Sequence, residues 1–280
     1  MNAPVASNLP VVTRFAPSPN GPLHLGHAYS AIVAHDLATN AGGRFLLRIE
    51  DIDGARSRGE LADEYRRDLD WLGLEWEEVP AQSTRLSAYQ AVFERLQAAG
   101  LVYPCRCTRA DIQAAGARMG PMGPIYPGTC KRADIREDEP VQWRLDLDAA
   151  GKTAGQLEWH DAFAGEQTCD PHLLGDVVIW RRDEPASYHL AATVDDAADG
   201  VSIVTRGRDL FEATHIHRLL QALLDLPTPA YHHHALVLDE DGQKLSKRRG
   251  SPALAARREA GEDGRMLAEQ LRMQKFVLGT

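Results

Sequence analysis

The sequence predicts an α/β protein: a sheet of parallel strands with helices on its faces, interrupted by an inserted α+β unit. Three observations predict it. Short apolar, β-like runs alternate with amphipathic helical periods up to residue 100, the rhythm lapses over 101–186, and it resumes from 187. Strands alternating with helices imply crossover connections, and those give parallel strands.

The elements follow in order. Val11–Phe15 and Arg44–Ile49 read as strands. Between them, Ala28–Asn40 carries Ile32, Val33 and Leu37 at helical spacing and stops before Gly42-Gly43, a helix C-terminus. Gly59–Leu72 is a charged amphipathic helix with Leu61, Tyr65, Leu69 and Leu72 on one side. Ser87–Ala99 is another, with Tyr89, Phe93 and Leu96, ended by Gly100. The insertion holds most of the cysteines, a Gly/Pro-rich stretch at Gly116–Gly128 and the strand-like runs Val141–Leu147, Gly155–His160 and Asp176–Arg181. The βα pattern returns at Ala191–Asp196, Val201–Thr205 and a helix over Phe211–Leu224, and Ser251–Thr280 has room for one or two helices.

Two segments carry chemistry. Pro17-Ser18-Pro19-Asn20-Gly21-Pro22-Leu23-His24-Leu25-Gly26-His27 joins the first strand to the first helix, and Lys244-Leu245-Ser246-Lys247-Arg248 lies far downstream. His24 and His27 are three apart, so on a helical turn both imidazoles project from one face. A helix N-terminus offers unpaired N–H groups and partial positive charge, which suit phosphate. Gly26 has no Cβ, so a base or ribose is expected to approach the backbone there. Lys244 and Lys247 in a loop can follow charge developing on phosphate in a transition state. Together the segments suit activation of a carboxylate by ATP.

These segments resemble the HIGH and KMSKS boxes of class I aminoacyl-tRNA synthetases. Arg14-Phe15-Ala16-Pro17-Ser18-Pro19-Asn20-Gly21 is similar to the opening of glutamyl-tRNA synthetases. Leu47–Asp53, Tyr188-His189-Leu190-Ala191 with Val194-Asp195-Asp196, and Val204–Leu210 follow in that family's order. Departures are Leu25, Asn20, His189 and Arg248, none of which removes an essential charge.

The resemblance implies a class I synthetase-type Rossmann nucleotide-binding fold with an inserted zinc-containing α+β subdomain and a short helical C-terminal segment. Residues 1–100 would be the first half of that fold, 101–186 the inserted acceptor-type subdomain and 187–240 the second half. Residues 241–280 would hold the lysine-motif loop and the helical end. It also implies L-glutamate and ATP with Mg²⁺ as substrates. His24, His27, Lys244 and Lys247 are the expected catalytic residues. His24, Gly26, His27 and Lys247 would bind ATP, and Arg14, Ser18, Glu50, Tyr188 and Arg206 would bind glutamate. The residue types suit those roles: a γ-carboxylate calls for the planar fork of a guanidinium, and an ammonium needs an acceptor such as Glu50. The alternative for Glu50 is a structural pair with Arg48.

The family's tRNA-charging members continue with a helical domain that reads the anticodon, whereas this sequence stops about thirty residues after its lysine motif. The expectation is therefore the branch that lacks that domain, activates glutamate without tRNA and esterifies it onto queuosine in the anticodon of tRNA(Asp). Rivals are a short glutamyl-tRNA synthetase charging the 3′ end of tRNA(Glu), and a nucleotidyltransferase using the same histidine motif on another acid.

Cys105, Cys107 and Cys130 lie in the insertion and Cys169 stands apart. Closely spaced cysteines in a cytoplasmic protein more often bind metal than form disulfides. Three thiolates leave tetrahedral zinc one ligand short, with water, Cys169 and Tyr126 open as the fourth. In the queuosine-directed branch the resemblance implies a structural Cys-x-Cys…Tyr-x-x-x-Cys site, matched here by Cys105, Cys107, Tyr126 and Cys130.

A net charge of −9 argues against non-specific nucleic-acid binding. A local basic face could still form from Arg66-Arg67, Lys131-Arg132, Arg181-Arg182, Lys244–Arg249 and Arg257-Arg258. Met1–Pro10 lacks the pattern of a secretory signal, and no apolar run approaches the roughly twenty residues that span a bilayer. A cytoplasmic monomer without membrane contact is expected.

Overall fold

The computed structural model describes residues 10–135, 140–183, 185–238, 252–273 and 278–279. Its first part runs β1 (Val12–Phe15), α1 (Leu25–Asn40), β2 (Arg44–Leu47), α2 (Gly59–Trp71), β3 (Glu77–Glu78) and α3 (Leu86–Ala98). Then come β4 (Val102–Cys105), α4 (Arg109–Ala114), β5 (Met119–Gly120), β6 (Gly123–Pro124), β7 (Gln142–Leu145), α5 (Leu147–Ala154), β8 (Glu158–Asp161), β9 (Gly165–Thr168) and β10 (Val178–Trp180). The last part is α6 (Tyr188–Ala198), β11 (Ile203–Gly207), α7 (Ala213–Leu223), β12 (Ala230–His234), β13 (Leu236–Val237), α8 (Leu254–Glu259), α9 (Gly264–Arg272) and β14 (Leu278–Gly279).

β2 pairs in parallel with β1 and with β3, and β11 pairs in parallel with β12. The two ladders lie edge to edge. Ser202 ties them, its N–H donating to the Val12 carbonyl at 2.9 Å and its Oγ accepting from the Val12 N–H at 2.8 Å. From this junction the chain steps outward both ways, to β2 and β3 on one side and to β12 on the other. In open α/β sheets, ligands bind at the carboxyl ends of the strands where the order reverses in this manner.

Side-chain periodicity explains the packing. α2 buries Leu61, Tyr65 and Leu69 with Leu72 just beyond its end, against α1 and β2. α1 buries Ala28, Ala31, Ala34 and Ala38, small side chains that let the helix lie close to β1 and β2. Gly43 is required at the entry to β2, since a Cβ there would collide with the Val11 carbonyl. α8 and α9 close the same core with Leu254, Leu267, Ala268 and Leu271. No helix among the described residues is long and apolar enough to cross a membrane.

Two features differ from the sequence reading. α1 begins at Leu25, three residues before Ala28, because His24 caps it. Glu158–Asp161, placed by sequence inside the insertion, is a strand of the second ladder: β8 pairs in parallel with β12 and turns back into β9. Trp159 supplies the reason, being buried against Val12, Val204 and Tyr231 beneath that ladder. The antiparallel sheet β10-β7-β4 is distinct, yet its Val102, Leu145 and Ile179 share one core with Tyr89 of α3, Leu190 of α6 and Ile216 of α7.

Candidate active site

A cavity of about 620 Å³ lies at the carboxyl ends of β1, β11 and β12. It brings together Arg14, Ser18, His24, Gly26, His27, Glu50, Tyr188 and Arg206, all named from the sequence. Lys244 and Lys247 fall outside the described residues.

The histidine loop is held by its own caps. His24 Nδ1 accepts from the Gly26 N–H at 3.1 Å, and His27 Nδ1 accepts from the His24 N–H at 3.2 Å. With each Nδ1 accepting, each neutral ring carries its proton on Nε2, a donor suited to phosphate. The rings lie 3.9 Å apart. Gly26 lines the cavity, and its smallness also serves the cap, since a Cβ there would sit 3.1 Å from the His24 ring.

Beneath the loop is a buried charge network. Arg14 Nε donates to Asp196 Oδ1 at 2.9 Å and Nη2 to Oδ2 at 3.3 Å, while Nη1 donates to the Thr205 carbonyl at 2.8 Å. The fork read from sequence as a substrate clamp is thus engaged by Asp196 along one edge. Arg48, fully buried, donates to Glu50 at 3.1 Å, Asp196 at 2.9 Å and Asp199 at 3.0 Å. Arg85 bonds Asp195 and Asp199, and the Tyr89 hydroxyl and Gln82 hold Asp195. Three guanidiniums here face four carboxylates, an excess of negative charge that reaches the cavity at Glu50. Burial pushes the Glu50 carboxyl above its ordinary range, against the pull of Arg48 and Arg14.

Arg206 is held in another way. Buried at the end of β11, it donates to His233 Nε2 at 3.0 Å, the Tyr188 hydroxyl at 3.1 Å, His217 Nδ1 at 3.2 Å and Thr214 Oγ1 at 2.7 Å. No carboxylate among the described residues pairs with it.

A second cluster lies in the insertion. Three thiols, Cys105, Cys107 and Cys130, lie within 4.8 Å of one another. The Tyr126 hydroxyl is 3.4 Å from Cys105 Sγ and 3.6 Å from Cys107 Sγ, and accepts from the Cys130 N–H at 2.7 Å. Ligands of tetrahedral zinc at about 2.3 Å stand roughly 3.8 Å apart, so this donor set fits the ion. Arg144 Nε donates to Cys105 Sγ at 3.3 Å, and its guanidinium lies over the Tyr126 ring. Burial opposes ionisation of Cys105, but its hydrogen bond with Tyr126 and the one it receives from Arg144 bring its thiol down to about 7, as a metal-binding thiolate requires. Cys169 stands apart, donating to the His215 carbonyl at 3.2 Å.

Of the cations expected to build a basic face, five described ones are paired with carboxylates, and Lys244–Arg249 fall outside the described residues. Arg66 is bound by Glu78 and Asp63, Lys131 by Asp146, Asp148 and Asp176, Arg181 by Asp53, Arg257 by Glu262 and Arg258 by Asp68. Sequence reasoning also left out of the site Asp196, Thr214, His217 and His233, which hold its arginines. Asp196 lay within a recognised motif, whereas nothing in sequence linked His217 or His233 to Arg206: His217 stands in Thr214-His215-Ile216-His217-Arg218 and His233 in the run His232–His234, and neither segment is a motif with its own chemistry.

The family model described as tRNA synthetases class I (E and Q), catalytic domain, matches residues 10–273. A protein named Glutamyl-Q tRNA(Asp) synthetase from Rhodobacter capsulatus is 49% identical over 266 residues, covering 90% of this chain and 96% of its own. One of the same name from Symbiobacterium thermophilum is 44% identical, covering 89% and 81%. In structure the chain is similar to a glutamate tRNA ligase from Elizabethkingia meningosepticum solved with its amino acid, with a TM-score of 0.77 at 24% identity. That match covers 95% of this chain and 61% of the ligase, so the chain spans less than two thirds of the ligase's length. At this identity the likeness shows the fold alone. On the family model and the sequence identities, this chain belongs to the class I tRNA synthetases of the glutamate and glutamine type.

Proposed function

We propose that the protein activates L-glutamate with ATP, without tRNA, and transfers it to queuosine in the anticodon of tRNA(Asp). The observation that carries the glutamate reading is Arg206, a buried guanidinium facing the cavity with no carboxylate partner among the described residues. Such a charge calls for an anion from the substrate, and a γ-carboxylate supplies it. Glu50, with the surplus negative charge of its network, would receive the α-ammonium. Tyr188, which accepts from Arg206, keeps its own O–H to donate, and Ser18 stands at the rim.

With amino group and side chain held, the α-carboxylate stays free to react. One of its oxygens attacks the α-phosphorus of ATP, the bond to the bridging oxygen breaks, and pyrophosphate leaves. Nε2–H of His24 and His27, at the N-terminus of α1, would steady the phosphates; Lys247 would bear on the transition state, with Lys244 supporting its loop. Positioning and electrostatics dominate such chemistry, so no covalent nucleophile is needed. Mg²⁺ would accompany ATP. Zinc held by Cys105, Cys107, Tyr126 and Cys130 would be structural, fastening a segment whose own buried cluster is small.

The choice of acceptor rests on the relatives named for tRNA(Asp), at 49% and 44% identity. Its test is to incubate the protein with labelled glutamate, ATP and either queuosine-containing tRNA(Asp) or tRNA(Glu), then cleave the product. Label in the anticodon fragment is expected. Label at the 3′ end of tRNA(Glu) instead would reassign the acceptor.

A further inference from the structure

The cavity region contains buried arginines treated in opposite ways. Arg14 and Arg48 are paired with carboxylates, Asp196 and Glu50 among them, as buried guanidiniums ordinarily are. Arg206, on the neighbouring strand, is equally buried and receives four hydrogen-bond acceptors, none of them an acid. Arginine only donates, so each partner must accept, and an imidazole accepts only through an unprotonated nitrogen.

We infer that His217 and His233 are positioning residues that hold Arg206 through neutral acceptors, leaving its charge uncancelled so that the site selects glutamate over glutamine. The inference rests on Arg206 as the seat of the side-chain carboxylate and deepens that reading. A carboxylate at either histidine position would orient Arg206 as well but would cancel its charge. The substrate's γ-carboxylate would then meet a neutral pair, and glutamine, of the same shape without the charge, would lose its disadvantage.

The surroundings lock both rings in the accepting form. His233 Nδ1–H donates to Asp161 Oδ2 at 2.8 Å, which leaves Nε2 for Arg206. Asp161 is occupied on its far side by the backbone N–H groups of Phe163 and Ala164, so its charge is spread over the β8–β9 turn and kept one ring away from Arg206. His217 accepts at Nδ1, and its Nε2–H donates to His189 Nδ1 at 3.2 Å. Burial first and Arg206 second keep these rings neutral: His233 is pushed down to about 3, His189 to about 4, and His217 well below its ordinary value. Thr214 and Tyr188 complete the shell as uncharged hydroxyls.

The test is ATP–pyrophosphate exchange without tRNA, with glutamate and with glutamine, on the wild type and a nearly isosteric pair. His217→Asn keeps a neutral acceptor and should leave the glutamate KM within roughly fivefold, whereas His217→Asp should raise it about 100-fold with kcat changed far less, the scale of one charged hydrogen bond. The preference for glutamate over glutamine should fall at least about tenfold in His217→Asp only. Equal losses in the two variants, with preference unchanged, would overturn the inference and leave His217 a plain structural acceptor. Arg206→Gln separates the two ideas: an unchanged glutamate KM in that variant rejects the carboxylate seat itself. Nitrogen-15 spectra of the imidazoles in the wild-type protein need no variant to fold. They should show both rings neutral at neutral pH, with His217 unprotonated at Nδ1 and His233 at Nε2, and an imidazolium at either position would overturn the inference.

Discussion

Glu50→Gln sets function against stability. The amide keeps an oxygen to accept from Arg48 Nη2, now 3.1 Å away, and removes one negative charge from a network in which four carboxylates face three guanidiniums. Because burial raises the folded-state value of this carboxyl, its ionised form costs stability once pH rises through the interval between the unfolded and folded values. Above the folded-state value that cost is fully present, and the amide removes it. The variant should unfold at the wild-type temperature or up to a few degrees higher, where about 1 kcal/mol corresponds to roughly 2–4 °C. Glutamate binding should suffer, since a charge-assisted contact to the ammonium is worth about 1.5–3 kcal/mol, or roughly 10- to 150-fold in KM. The assays are thermal unfolding monitored by fluorescence and glutamate-dependent pyrophosphate exchange. A variant that melts several degrees lower with an unchanged glutamate KM would refute the reasoning and make Glu50 only a counter-ion for Arg48.

Three further outcomes are expected. Cys105→Ser should lower the zinc content of freshly purified protein and its melting temperature before glutamate activation declines; wild-type protein that purifies without zinc would reject the four-ligand site. Lys247→Ala should reduce adenylate formation about 10²-fold or more, the scale of one lost transition-state stabiliser, with unfolding unchanged; near-wild-type exchange would reject its role. Asp36 of α1 is bonded by Arg272 of α9 at 2.8 and 2.9 Å, and, although burial opposes it, hydrogen bonds from His35 and Arg272 hold its carboxyl down to about 2. A depressed carboxyl stabilises above its unfolded value of roughly 4 and loses that contribution as pH falls through about 2. Arg272→Ala should therefore flatten the acid limb of the stability–pH curve, and denaturant titrations at several acid pH values would show an unchanged limb if the pair contributes nothing.

Much of the molecule was legible in the residues alone. Apolar spacing located α2 and α3 to within a residue, because 3.6-residue periodicity is a local property of the chain. The histidine loop, Glu50, Tyr188 and both site arginines were legible because they stand in short motifs that each carry their own chemistry. The start of α1 was displaced, since a histidine cap depends on ring orientation that sequence does not record.

Charge cancellation is the part that only the tertiary structure decided. Arg14 and Arg206 read alike in sequence, two arginines at strand positions near the ends of their motifs. Folding brings Asp196, from 182 residues away, against the first, and His233 and His217, from 27 and 11 residues away, against the second. Likewise, sequence supplied three cysteines and a nearby tyrosine, but only the turn after β6 carries the Tyr126 hydroxyl to the thiols. Residue types determine which interactions are available; which charges are cancelled and which stay open depends on distances between segments remote in the chain, and the fold sets those.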